Sequence, residues 1–302
     1  LAITVKFREN EKPEFTPLPT VKPKPVSRKQ NPSGDKIKNV LEELDNLIGL
    51  EDVKGLVWEI SAFVEIQKKR AREKLNSQPT VMHMVFKGNP GTGKTTVARI
   101  IGKLFRELGI LQKGHVIEIE RADLVGEYIG QTAQKTKAQI KKAQGGVLFI
   151  DEAYSLARGG EKDFGKEAVD SLVKGMEDHK DNLILILAGY KEEMDTFMQT
   201  NPGLRSRFPI QVDFPDYREE ELLEIGEQML KERQYYLSQE GKEYLKHLIK
   251  DKVVFGHRYN GNARMMRNVI ERSIRRQAVR LVERQSITRD ELMIIEREDL
   301  VE

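Results

Sequence analysis

Residues 88 to 95 read GNPGTGKT, a full match to the spacing GxxxxGK[ST]. The match lies between an apolar run, VMHMVFKG, and a helical pattern, TTVARIIGKLFRELG, which is the context a phosphate-binding loop requires. Gly88, Gly91 and Gly93 let the backbone wrap closely around phosphates, so that peptide N–H groups and the helix N-terminus face the anion. Asn89, Pro90 and Thr92 complete the loop, Lys94 supplies a point charge to the terminal phosphates, and Thr95, followed by Thr96, supplies a hydroxyl to Mg²⁺. The alternative is an ordinary glycine-rich turn.

A second constellation is VLFIDEA, in which four apolar residues deliver Asp151 and Glu152 at the carboxyl end of a strand, where open α/β sheets bind ligands. Asp151 is expected to hold Mg²⁺ and Glu152 to polarise an attacking water as general base. Two acids favouring the N-terminus of the next helix would be the plainer reading. Asp151 follows Lys94 by fifty-seven residues. A phosphate cradle with an acidic pair in this strand context points to nucleotide hydrolysis, with Mg²⁺ as an expected cofactor.

The elements that must position these groups are visible in the periodicity. Val53, Leu56, Val57, Ile60 and Val64 recur at helical spacing, as do Val97, Ile101, Leu104, Phe105 and Leu108, with Gly109 placed to cap the second helix. HVIEI, GVLFI, LILILA and IQVDF read as strands, and GVLFI and LILILA are apolar on consecutive residues, as strands covered on both faces of a parallel sheet are. Alternating strands and helices predict a doubly wound α/β domain with a parallel five-stranded sheet. After FPDY three helical patterns follow, near 218 to 233, 238 to 252 and 262 to 284, with a capping-box start at Thr288 and Glu291. The expected division is a proline-rich basic arm or linker over 1–36, a large α/β domain over 37–215 and a small helical domain over 216–302. Six of the eleven prolines lie between Pro13 and Pro32, which excludes a helix or central strand there.

The chain has 302 residues, 38% hydrophobic and 33% charged, which fits about two soluble domains and excludes whole-chain disorder. It has no cysteine and five scattered histidines without metal-ligand spacing, so no disulfide, thiol catalysis or transition-metal site is expected. Basic residues number 51 and acidic residues 48, a near-balance that draws the chain to neither nucleic acid nor anionic lipid. With no apolar run of membrane-spanning length and no signal-peptide core in LAITVKFREN, the reading is cytoplasmic, without membrane contact.

The motifs and their order resemble the AAA+ ATPases, in the branch that contains a sporulation ATPase and the red-type Rubisco activases. The resemblance covers about Leu44 to Leu300 and rests on MVFKGNPGTGKTTVAR, RADLVGEYIGQTAQKT, GGVLFIDEAYSLARGGEKDFGKEA, ILAGYKEEMD, NPGLRSRFPI and GNARMMRNVIE. It implies ATP as the nucleotide, and an α/β ATPase domain with a small α-helical lid, assembled into a homo-oligomeric ring, a hexamer in this family, that acts on a protein substrate. It implies base contacts from Ile48, Gly49 and Leu50, which could equally be core. It places Arg205 and Arg207 in the arginine-finger region, with Arg207 favoured and a salt-bridged surface pair as the alternative. It places Arg264 as a nucleotide-sensing cation at the start of a lid helix. Arg267, Arg272, Arg275, Arg276 and Arg280 on that helix read as a solvated basic face or subunit contact. Tyr128, Ile129 and Gly130 fall at the first pore loop, where an aromatic with an apolar neighbour grips peptide without reading its sequence, and RGGEKD at 158 to 163 reads as a second pore loop. LILILAGY offers Gly189 and Tyr190 where many relatives carry a polar sensor. In a spore-former the resemblance implies spore maturation; a Rubisco activase and a nucleotide-gated, clamp-loader-like DNA binder are the alternatives.

Overall fold

The computed structural model describes residues 32–76, 81–158, 163–200, 202–255, 261–282 and 284–301. Residues 1–31 of the proline-rich arm and 159–162 of the second pore-loop segment lie outside the described residues.

Helix α1 spans Pro32–Asp45 and α2 spans Glu51–Arg72. The α1 helix starts five residues before Ile37, where the apolar periodicity begins, because proline is accepted at a first helical position and Asp35 favours the first turn. The large domain continues as β1 (Met84–Gly88), α3 (Lys94–Glu107), β2 (Val116–Ile119), α4 (Arg121–Leu124), α5 (Gln131–Ala143) and β3 (Val147–Ile150). A short 3₁₀ turn at Ala153–Ala157 leads to α6 (Gly165–Asp178), β4 (Ile184–Gly189), α7 (Lys191–Thr200), α8 (Pro202–Arg207) and β5 (Ile210–Phe214).

The five strands form one wholly parallel sheet in the order β2-β3-β4-β1-β5. Strand alternation sends Met84, Phe86, Val147, Phe149, Ile184, Ile186 and Ala188 into a core shared with α1, α2 and α3. Val85, Leu148, Ile150, Leu185 and Leu187 enter a second core under α5, α6 and α7. This two-sided burial is why β1, β3 and β4 are apolar without interruption. The α3 helix closes in a Schellman turn: Gly109, at φ 64°, donates to Arg106 O at 2.8 Å, and Ile110 N donates to Phe105 O at 2.8 Å.

The lid consists of α9 (Glu219–Glu232), β6 (Tyr236–Leu237), α10 (Gln239–Phe255), α11 (Asn262–Val282), α12 (Arg289–Met293), β7 (Ile294–Ile295) and α13 (Arg297–Leu300). Leu222, Leu230, Leu245, Ile249, Met266, Ile270, Ile295 and Leu300 form its own core. The expected capping box at Thr288 and Glu291 is present. Strands β6 and β7 pair in parallel and are too short for a sequence signal. One expectation is corrected here. Arg280 is not on a solvated face: its guanidinium binds the carboxylate of buried Asp299 at 2.9 and 2.8 Å and Glu296 at 3.2 Å, fastening α11 to α13.

At the entrance to β1, buried His83 accepts the Leu185 N–H on Nδ1 at 3.0 Å, and burial pushes its imidazole down to about 4. An unfolded chain protonates this ring near 6.5. The stabilisation from a neutral His83 is therefore complete above about 6.5 and is lost as pH falls through about 4. Denaturant midpoints measured across that interval are expected to fall less steeply in His83→Asn, whose side-chain oxygen keeps the acceptor without titrating. The difference amounts to at most about 3 kcal/mol.

Candidate active site

Three neighbouring strands end at one cleft. The loop after β1 brings the phosphate-loop residues, the end of β3 brings Asp151 and Glu152, and the end of β4 brings Gly189 and Tyr190. The lid adds Ala263, Arg264 and Arg267 from the first turns of α11. The cleft, of about 340 Å³, is lined by Gly88, Pro90, Gly91, Gly93, Lys94, Thr95 and Thr96 on the loop side. Arg99, unread in the sequence, also lines it and pairs with Glu118 at 2.6 Å.

Gly91 and Gly93 have φ of 74° and 95°, a region that disfavours side chains. From Gly91 to Thr96 no peptide N–H donates a hydrogen bond among the described residues. The loop therefore offers a row of free backbone donors running into the N-terminus of α3, where an anion is favoured. Lys94 Nζ donates to Gly88 O and Asn89 O, both at 2.8 Å. Burial lowers its ammonium to about 8, with Asp151 opposing the shift and Arg264 adding to it. A phosphate beside this ammonium would offset the desolvation, so the cation and the free amides favour the same ligand.

Asp151 Oδ1 accepts the Glu152 N–H at 3.0 Å, which fixes one carboxylate oxygen inside the acidic pair. Glu152 sits in the left-handed region at φ 46°, a strained setting for a side chain of this size, and is exposed. Thr95 Oγ1 has no hydrogen-bond partner among the described residues, and with Asp151 it offers hard oxygen donors for a divalent cation. Among the described residues no group of three His, Cys, Asp or Glu side chains could hold a metal, so phosphate oxygens and water must complete such a shell.

Other expected site residues stand beside the cleft rather than in its lining. Thr92 is buried and donates its hydroxyl to Asn89 O at 2.8 Å, while Asn89 binds Asp216. Ile48 packs on the lid core, and Leu50 belongs to the large-domain core. Gly49 lies so close to Glu221 that an added Cβ would meet Oε1 at 2.8 Å. These three residues are wedged between the domains next to Gly93. Arg205 and Arg207 lie on α8, away from the cleft of their own chain. Arg207 is paired with Glu177 and donates to Gly203 O at 2.9 Å, whereas Arg205 is exposed with no ion pair among the described residues.

Gly189 cannot carry a sensor side chain: an added Cβ would lie 2.6 Å from the Tyr154 ring. Tyr190 lines the cleft in its place, its ring tilted against that of Tyr154 with centroids 5.9 Å apart. In the turn before α5, Tyr128 is 68% and Ile129 91% exposed, while Gly130, at φ 83°, is the N-cap of the helix. The base of that turn is pinned by Gly126 N donating to Thr132 Oγ1 at 3.0 Å and by Lys135 Nζ donating to Val125 O at 3.0 Å. Arg121, just before it, binds Asp163 at 2.6 and 2.7 Å, which holds that carboxyl below its ordinary range.

Free amides, a desolvated lysine and an acidic pair at the ends of parallel strands define a phosphate-loop nucleotide hydrolase. Family comparison makes this specific. Residues 84–216 match the ATPase family associated with various cellular activities (AAA), and residues 218–302 match the AAA lid domain. Stage V sporulation protein K of Bacillus subtilis is 56% identical over 265 residues, covering 87% of this chain and 82% of that protein. The chloroplastic ribulose bisphosphate carboxylase/oxygenase activase of Cyanidioschyzon merolae is 47% identical, covering 81% of this chain and 84% of that protein. Protein CbbX of Cereibacter sphaeroides is 46% identical, covering 82% and 80%. A solved structure of Thermotoga maritima RuvB aligns with a TM-score of 0.57 at 22% identity, over 85% of this chain and 69% of that one, and supports the fold alone. The chain belongs to the AAA ATPase family and is an ATPase.

Two measurements check the site. Lys94→Ala is expected to abolish nucleotide binding, and Glu152→Gln to bind ATP while turnover falls by at least about 10²-fold, the scale of a lost general base. Bound phosphate should raise the Lys94 pKa above about 8. ADP affinity should therefore decline above that pH by up to about tenfold per unit, with proton uptake on binding visible by calorimetry in buffers of different ionisation enthalpy.

Proposed function

We propose that the chain is one subunit of a ring-shaped ATP-driven motor, a hexamer, that remodels a protein client by drawing on an exposed segment of it. The observation that carries this reading is the apolar tip at Tyr128 and Ile129. Two large apolar side chains project from a pinned turn and pack against none of the three hydrophobic clusters. Apolar area of this kind suits contact with unfolded peptide of varied sequence. The similarity to a named Rubisco activase supports a protein as the object of the work.

In this reading Lys94 and the loop amides bind the β- and γ-phosphates, and Thr95 and Asp151 would hold Mg²⁺, which would supply positive charge against the negative charge of the phosphoryl group in transfer. Glu152 orients and deprotonates the attacking water, and Tyr190 lies close enough to the cleft to help position it. Arg264 contacts the terminal phosphate from the lid. Arg205 and Arg207 reach the cleft of a neighbouring subunit, an arginine contribution worth about 10³ to 10⁵ in rate in other nucleotide hydrolases. Their position away from the cleft of their own chain supports action in trans. For Arg207 that reach requires release from Glu177.

The similarity to stage V sporulation protein K favours a role in spore formation. A second reading, supported by the activase and CbbX similarities, is remodelling of Rubisco. Stimulation of hydrolysis by ribulose bisphosphate and inhibited Rubisco would favour the second.

Tyr128→Ala is expected to lower client remodelled per ATP consumed by at least tenfold, on the order of one lost apolar anchor; equal remodelling per ATP would refute the threading role. Mixing Arg207→Ala chains with Glu152→Gln chains should restore hydrolysis at hybrid junctions, measured as phosphate release against either variant alone.

A further inference from the structure

Four consecutive residues of the phosphate loop are held from the lid side. Asn89 Nδ2 donates to both carboxylate oxygens of Asp216, at 3.0 and 2.9 Å. Pro90 O accepts from Asn262 Nδ2 at 3.3 Å, Gly91 O from the Ala263 N–H at 3.1 Å, and Thr92 O from the Tyr217 hydroxyl at 3.3 Å. Asn262 joins these bonds. It is 1% exposed and left-handed at φ 44°, donates to Asp216 Oδ1 at 2.7 Å, and accepts the Tyr217 N–H on Oδ1 at 3.0 Å.

Orientation follows from the planarity of the peptide group. A trans peptide carries its C=O and the following N–H on opposite edges of one plane. Tethering the oxygens of Pro90, Gly91 and Thr92 to lid-side donors turns the N–H groups of Gly91, Thr92 and Gly93 the other way. Those three amides have no acceptor among the described residues. The loop and the lid approach so closely that a Cβ on Gly91 would stand 2.3 Å from Gly261 O and 2.8 Å from Arg264 N.

We propose that Asn262, Asp216 and Tyr217 are positioning residues that form a latch, through which the lid sets the aim of the phosphate-loop amides. The angle of the lid and the affinity for nucleotide are then one equilibrium. Swinging the lid away frees the three carbonyls, lets the peptide planes turn and weakens the hold on phosphate. By linkage, a bound nucleotide holds the lid against the loop by the same factor. None of the three side chains needs to touch a phosphate. The inference rests on reading residues 88 to 96 as the nucleotide cradle.

The test uses the full chain and ADP. Asn262→Gly keeps the left-handed backbone accessible and removes only the amide side chain. It is expected to weaken ADP binding by about tenfold, within the usual range of such couplings, and to raise the KM for ATP by a larger factor than it lowers kcat. Asn262→Asp, which turns the donor into a carboxylate facing Asp216, should weaken binding at least as much. Adding Asp216→Ala to Asn262→Gly should cost less than the sum of the two single effects, since both remove one shared bond. Lys94→Ala separates the two ideas. If the parent chain does not bind ADP, the cradle reading fails. If the parent binds, Lys94→Ala does not, and Asn262→Gly matches the parent, the latch is refuted while the cradle stands. Should Asn262→Gly melt at a lower temperature without nucleotide, Tyr217→Phe removes only the hydroxyl on Thr92 O, and unchanged ADP affinity in that variant overturns the proposal.

Discussion

A peptide N–H without an acceptor is costly wherever water is displaced, and the turn entering α3 leaves six in a row, from Gly91 to Thr96, without a partner among the described residues. A phosphate, with several oxygens, can accept from such a row of donors at a helix N-terminus. The rest of the site answers to that constraint. Glycine is needed at 91 and 93 because the path runs through positive φ, and Lys94 bends back onto Gly88 O and Asn89 O at 2.8 Å. The parallel sheet meets it by ending β1, β4 and β3 side by side, which sets the acidic pair opposite the donors.

Charge in the cleft is arranged so that ligand and protein complete one another. Among the described residues, Lys94, Arg99, Arg264 and Arg267 line it together with two carboxylates, Asp151 and Glu152. The excess of cations is spread over both domains, so a polyphosphate draws the lid and the sheet toward the same point. Glu152 is held in a left-handed conformation that few residues accept. Its exposed side chain is among those that line the cleft.

Much of this was legible in the chain. The loop GNPGTGKT, the apolar strands ending in Asp151 and in Gly189, and the helical period of α3 each depend on neighbours in sequence, so local chemistry announces them. Contacts between distant segments left no such trace. Asp216 and Asn262 are 46 residues apart, and nothing in FPDY or GNAR indicates that they share a hydrogen bond. Arg280 reads as one more cation on a basic helix, because periodicity does not reveal that Asp299 arrives from another helix to bury with it. The IGL segment shows the same limit: its residues were legible as apolar, while their wedging between the domains depends on Glu221 and Tyr217.

The tip at Tyr128 and Ile129 has a consequence for evolution. Neither side chain supports a core, and the turn that carries them is fastened by backbone groups and by Thr132 and Lys135. Selection can therefore rewrite these two positions without disturbing the engine behind them. No core senses a change there, so what limits variation at the tip is what it meets in solvent and not the folding of the chain.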